Sequence, residues 1–217
     1  MEPNPALMEE YDKGINAIEK KDYQRAIVHF TNALNISDRN GLFNLHRGEC
    51  YFKMNNYVAA KNDFEKGIQK LKSFLYQTRG TYDTKTRDSF ICQIIEGLVY
   101  LGLIENKEEH LPEALTYYTE AIAFYYQMVY YEVLPAHLRV SEIFMKRGQV
   151  LAKANLIEKS MKDMGYAMAE ASGESKDKIV TIARMSGHWE IIDKTCRMFS
   201  QIHPPDRWEY IKTAIRD

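Results

Sequence analysis

Residues 44–68 read NLHRGECYFKMNNYVAAKNDFEKGI, and the placement of small and aromatic residues within them decides the fold. Gly48 and Tyr51 stand three apart, Tyr57 follows an Asn-Asn pair, and Ala60, Phe64 and Gly67 come next at steps of four and three. Such steps put side chains on one face of a helix. Asn55-Asn56 breaks the pattern with a turn signal, so the stretch predicts two helices folded back on one another. Small residues at their contact let the backbones approach, and Phe64 fills the wedge beside them. Moving 34 residues upstream finds the same order in 9–40, EEYDKGINAIEKKDYQRAIVHFTNALNISDRN, as Gly14, Tyr23, Ala26, Phe30 and Ala33. A period of that length belongs to a repeated helical hairpin.

These residues resemble the tetratricopeptide repeat, whose pattern runs W-x2-L-G-x2-Y, then A-x3-F, then P over one period. In the second unit Gly48 and Tyr51 fill the G-x2-Y step; in the first, Ala17 stands where the family has Tyr and Asp38 where it has Pro. Downstream the match loosens. RGQVLAKANLIEKSMKDMGYAMAEA (147–171) carries Gly148, Leu151, Ser160, Met164 and Ala167 at the same intervals. Gly148 lies 100 residues beyond Gly48, which is not a multiple of the period, so the segment between is resized. It reads as a long helix over about 86–106, with Gly97 and Tyr100 in the G-x2-Y places and Gly102 as a competing anchor. Its partner spans about 112–133 and carries Ala114, Tyr118 and Ala121.

Asp22, Asn56, Pro112 and Pro135 fall at turns or first-turn positions, which accommodate Pro and short polar residues. SGESK around Gly173 reads as a break, after which KIVTIARMSG, HWEIIDKTCRMFSQI and DRWEYIKTAI form three short amphipathic helices. The aromatic run Tyr117, Tyr118, Phe124, Tyr125, Tyr126, Tyr130 and Tyr131 covers several faces of one helix, the pattern of an element buried on both flanks or of one that in part meets a partner.

The resemblance thus implies an all-α fold, a tetratricopeptide-like helical-hairpin superhelix (α-solenoid) with C-terminal capping helices. Its expected parts are two repeats over 7–74, a linker over 75–85, degenerate or lengthened pairs over 86–172 and capping helices over 176–217, in a single domain overall. In that family the first helix of each pair lines a concave wall. The wall expected here takes Met8, Tyr11, Ile15 and Ile18 from the first unit, and Leu42, Leu45, Glu49, Phe52 and Lys53 from the second. Glu142, Met145, Gln149 and Lys153 are the equivalents in the last pair. Apolar anchors along such a wall suit a helix or extended segment of another protein. The same spacing would also serve if the chain's own C-terminal helices filled the groove.

One subset of the family grips the acidic tails of chaperones with Lys and Asn side chains. The matching places here hold Tyr11, Ile15 and His46, which supply no ammonium or amide donor for a free carboxylate. A carboxylate clamp on a chaperone tail is therefore not expected.

Composition narrows the function classes. The 217 residues are 45% hydrophobic and 27% charged, with 29 basic and 30 acidic residues, an ordinary globular balance. Interspersed charges summing to −1 create no field for a phosphate backbone, so no nucleic acid partner is expected. Glu120 and Glu132 interrupt the longest apolar stretch, and no membrane span is expected. Cys50, Cys92 and Cys196, together with an N-terminus unlike a secretory signal, suit reduced thiols in a cytoplasmic setting.

Chemistry has no constellation to stand on. His29, His46, His110, His137, His188 and His203 fall in no metal-ligand spacing, and neither a phosphate-cradling glycine loop nor a G-x-S-x-G elbow occurs. No metal, no cofactor and no enzymatic activity are expected. The expected function is that of a protein–protein interaction adaptor or scaffold. An architectural subunit held by neighbouring subunits of a complex is the alternative. A regulatory activator or small-GTPase effector is a narrower version, with no contact residue to carry over.

Overall fold

The computed structural model describes residues 4–39, 41–78, 84–130 and 139–216. Its described residues form eleven α-helices and one short 3-10 turn, with no strand among them. The fold is all-α, built from helical hairpins and followed by three C-terminal helices. Compactness divides the chain inside a helix, between Ile104 and Glu105, rather than at the 75–85 stretch. Residues 79–83 of that stretch, and Val133, Pro135, His137 and Tyr131 further on, lie outside the described residues.

In the first unit α1 (Pro5–Glu19) pairs with α2 (Tyr23–Ile36), and α3 (Gly41–Lys53) with α4 (Tyr57–Gln77). Asn4 opens α1 by accepting from the Ala6 amide at 3.0 Å, ahead of Pro5 in the first turn. Asp22 and Asn56 open α2 and α4 in the same way, accepting from the Arg25 and Ala59 amides at 3.1 and 3.2 Å. Ala26, Phe30 and Ala33 on α2, and Ala60 and Phe64 on α4, are buried as the sequence pattern requires. Each buried Phe contributes roughly 2–3 kcal/mol from burial. The space is tight: a Cβ on Gly14 would lie 2.7 Å from the Phe30 ring. The unit continues through the greater part of α5 (Thr84–Lys107).

The second unit holds the end of α5, then α6 (Leu111–Tyr130), α7 (Val140–Lys153) and α8 (Ile157–Glu170). Ala114, Tyr118 and Ala121 on α6 are fully buried, and so are Tyr125 and Tyr126, while Tyr117 and Phe124 are half-buried. The long aromatic helix is thus covered on more than one flank. The three last helices are α9 (Gly173–Met185), α10 (Trp189–Ser200) and α11 (Arg207–Arg216). Most of SGESK lies inside α9, which starts at Gly173; the break is the Ala171-Ser172 step before it. Ile192, Thr195 and Phe199 turn the apolar face of α10 onto α8, where a Cβ on Gly165 would lie 2.6 Å from that of Thr195.

The turns fix a register that periodicity alone left open. Lys21, Asn55, Glu109 and Asn155 have φ of 59°, 60°, 63° and 59°, the left-handed conformation, and each joins the two helices of a hairpin. At each turn the next amide, of Asp22, Asn56, His110 or Leu156, donates to the carbonyl five residues back at 2.9 Å. These turn residues follow Gly14, Gly48, Gly102 and Gly148 by seven positions each. The anchor of the third hairpin is therefore Gly102. Gly97 and Tyr100 do not occupy the G-x2-Y places, because the length of α5 put an extra glycine one and a half turns too early.

Candidate functional site

Tyr11 and His46 connect the first helices of the first two hairpins. The Tyr11 hydroxyl lies 3.5 Å from His46 Nε2, and its ring packs on Phe30 and Phe43 at 6.3 and 5.8 Å. His46 stacks on Phe30, with ring centroids 5.5 Å apart. Burial holds its imidazole down to about 4, so the ring is neutral at physiological pH. It offers no cation to a bound carboxylate.

The expected wall residues divide by burial. Met8 is exposed, at 45%, and Lys53 is exposed at the other end. Tyr11, Ile15, Ile18, Leu42, Glu49 and Phe52 are half-buried, with Ile15 and Ile18 leaning on the cluster of Ala17, Ala26, Ile27, Phe30 and Cys50. Leu45 belongs to the core and not to the wall. It is 4% exposed, and Cβ atoms on Gly67 and Gly97 would lie 2.6 and 3.2 Å from its Cδ2, so two glycines receive its side chain.

Tyr100 on α5 joins the wall although the sequence pattern assigned it to the hairpin contact. Its hydroxyl donates to Glu49 Oε1 at 3.0 Å. Its ring meets Phe52 edge-on at 4.9 Å and stacks on Phe64 at 5.0 Å. Burial, then the charge of Glu49, raises the Tyr100 hydroxyl well above its ordinary value, so it remains a donor. Phe52 touches Tyr57 as well, at 5.6 Å. The result is a strip across α1, α3 and α5, bridged between α1 and α3 by Tyr11 on His46, that is aromatic and apolar apart from His46, Glu49 and Lys53. With Gly102 as the anchor, Tyr100 falls two residues before it, the place of Asp12 and His46, which lie outside the expected wall; its contacts with Glu49 and Phe52 are what bring it into the strip.

A second feature escaped the sequence reading. Arg47 Nε and Nη2 donate to Asp63 at 2.7 and 2.8 Å, and Nη1 donates to the Thr31 hydroxyl at 3.0 Å. Arg147 repeats the arrangement, donating to Asp163 at 2.8 and 2.7 Å and to Thr119 at 3.2 Å. Each fork ties the first helix of a hairpin to its second helix and to the second helix before it. The sequence signal is an Arg-Gly step with Asp sixteen residues on.

Glu105, Glu108 and His110 converge at the third turn, with ligand-type atoms within 4.8 Å of one another. His110 Nδ1 lies 2.9 Å from Glu105 Oε2 and 3.7 Å from Glu108 Oε2. Glu105 occupies the place of Ala17, Tyr51 and Leu151, whose carbonyls close the other turns. The ring of His110 therefore meets the carboxylate that this turn buries. Cys50 and Cys92 are buried free thiols, and burial raises them to about 12 and about 11, which leaves them unreactive. Among the described residues no helix is long and apolar enough to cross a membrane.

No protein-family model matches the chain. Among solved structures it is similar to PilW, a widely conserved type IV pilus biogenesis factor, with a TM-score of 0.40 and 13% identity, over 96% of this chain and 99% of that one. It is also similar to PilF of Pseudomonas aeruginosa, with a TM-score of 0.38 and 9% identity, over 96% and 97% of the two chains. Likenesses this loose carry no functional argument.

Proposed function

We propose that the chain is a protein-binding adaptor that holds a peptide or helical segment of another protein against the strip formed by Met8, Tyr11, Ile15, Ile18, Leu42, Glu49, Phe52 and Lys53, extended by Tyr100. One observation carries this reading: half-exposed apolar and aromatic side chains stand on three first helices, with Tyr11 meeting His46 between α1 and α3 and Tyr100 meeting Glu49 and Phe52 between α3 and α5. Such a surface favours apolar anchors of a partner, and its two charged members fix their direction. The reading includes no catalysis, cofactor or metal, and a reducing, cytoplasmic setting in keeping with free Cys50, Cys92 and Cys196.

The test is capture of partners from extract by the wild-type chain and by a Met8→Asp, Phe52→Ala variant, with thermal melting as the control. Tyr11 is a poor target because its ring packs on Phe30 and Phe43, and its loss would unfold the unit locally. A specific partner lost from a variant that still melts cooperatively supports the strip. Undiminished capture overturns it.

Exposed apolar residues elsewhere favour a second reading, an architectural subunit of a larger assembly. Val58 is 80% exposed and Met185 82% exposed, in different units. An adaptor expressed alone should elute as a monomer; a chain that aggregates until a companion is added would favour the architectural reading.

A further inference from the structure

Glu49 is the anomaly within the proposed strip. It is half-buried, bonded to Tyr100 and one helical turn before Phe52, whose ring packs on both Tyr100 and Tyr57. Tyr100 donates one hydrogen bond to Glu49, and among the described residues no Lys, Arg or His forms an ion pair with it. Lys53, one turn further along α3, is exposed. The repeat itself does not call for a carboxylate here: the matching places, one residue after each anchoring glycine, are Ile15, Leu103 and Gln149. Phe52 is equally particular, since its counterparts are Ile18, Asn106 and Ala152.

A carboxylate shielded by aromatic rings attracts a cation in two ways. Its charge is screened less than on open surface, and the ring faces add their own attraction to a guanidinium or ammonium group. We infer that Glu49, bonded to Tyr100 and one helical turn from Phe52, receives an arginine or lysine side chain of the bound protein segment, with arginine preferred. The occupant is thus a basic residue flanked by apolar anchors, the opposite of an acidic tail. Arginine is favoured because its planar fork can meet the carboxylate while its face lies on a ring. This rests on the strip being the binding surface.

The probe is N-acetylarginine amide, titrated into the isotopically labelled full chain and followed by backbone amide chemical shifts. N-acetylcitrulline amide, of the same shape without the charge, is the control. Shifts confined to residues 49–57 and 96–100, absent with citrulline and weakened at least tenfold in Glu49→Gln, are expected. Glu49→Gln keeps an acceptor for Tyr100, so its fold should be intact; Phe52→Leu, which removes a ring and no charge, should weaken binding about threefold. Equal shifts with arginine and citrulline, or undiminished binding to Glu49→Gln, overturn the inference. Partner capture that depends on Met8 and Phe52 in a chain blind to arginine would sink this inference alone. Capture indifferent to Met8 and Phe52 would remove the strip beneath it.

Discussion

The guanidinium of Arg147 meets the carboxylate of Asp163 through two parallel hydrogen bonds of 2.8 and 2.7 Å, and both side chains are buried. Arg47 meets Asp63 with the same geometry but with its own side chain 20% exposed. Burial raises Asp163 above the usual carboxylate range against the pull of Arg147, and Arg147 keeps its charge. Removing one partner of a buried pair strands the other charge, whereas removing both strands none. Arg147→Leu should therefore cost about 3–5 kcal/mol. Arg147→Leu with Asp163→Leu should recover most of it, and Arg47→Leu should cost less than Arg147→Leu. Urea unfolding of the four chains measures this, and a double variant no better than the single would refute it.

Acid should weaken the first unit through His46. Its folded value is held down to about 4, below the ordinary 6.5, so the native state resists a proton that the unfolded chain accepts. The stabilisation is complete above 6.5, erodes as pH falls, and is gone below about 4, a total of about 3 kcal/mol. The stability advantage of the wild type over His46→Gln should shrink by about 1 kcal/mol between neutral pH and one unit below the ordinary histidine value. Parallel denaturation curves at both pH values would contradict it.

Turn chemistry offers a gain. Lys21 and Glu109 hold left-handed conformations that cost an ordinary L-residue roughly 1–2 kcal/mol, while Asn55 and Asn155 suit them better. Lys21→Gly and Glu109→Gly should each raise stability by about 0.5–1 kcal/mol, and Asn55→Gly should be close to neutral. Thermal melts rank the three, and a destabilised Lys21→Gly would count against the turn assignment.

Attachment of α10 depends on Gly165. An added Cβ would lie 2.6 Å from the Thr195 Cβ and 2.8 Å from the Ile192 carbonyl oxygen, and backbone cannot yield as a flexible side chain does. Gly165→Ala should cost about 1–3 kcal/mol. It should also speed amide exchange in α10 while leaving α1–α4 unchanged. Uniform protection would show that the contact is not tight.

Much of this was legible in the chain. Ala26, Phe30, Ala60 and Phe64 announced the hairpins because steps of three and four leave a helix no other way to bury them. What periodicity could not supply was register in α5, where Gly97 and Gly102 both fit and only the backbone at Glu109 decides. Leu45 was misassigned to the wall for a related reason: helix position names a direction, and only the glycines facing it made that direction inward. The arginine forks were hidden because pairing across sixteen residues is a property of the folded hairpin.

The two forks have a wider consequence. Thr31, Arg47 and Asp63 are matched one for one by Thr119, Arg147 and Asp163, with Thr-to-Arg separations of 16 and 28 residues. The same three-residue tie therefore fastens α2, α3 and α4 to one another and, separately, α6, α7 and α8. The earlier set carries Glu49 and Phe52 where the later has Gln149 and Ala152, so the same tie frames different surface residues in the two places.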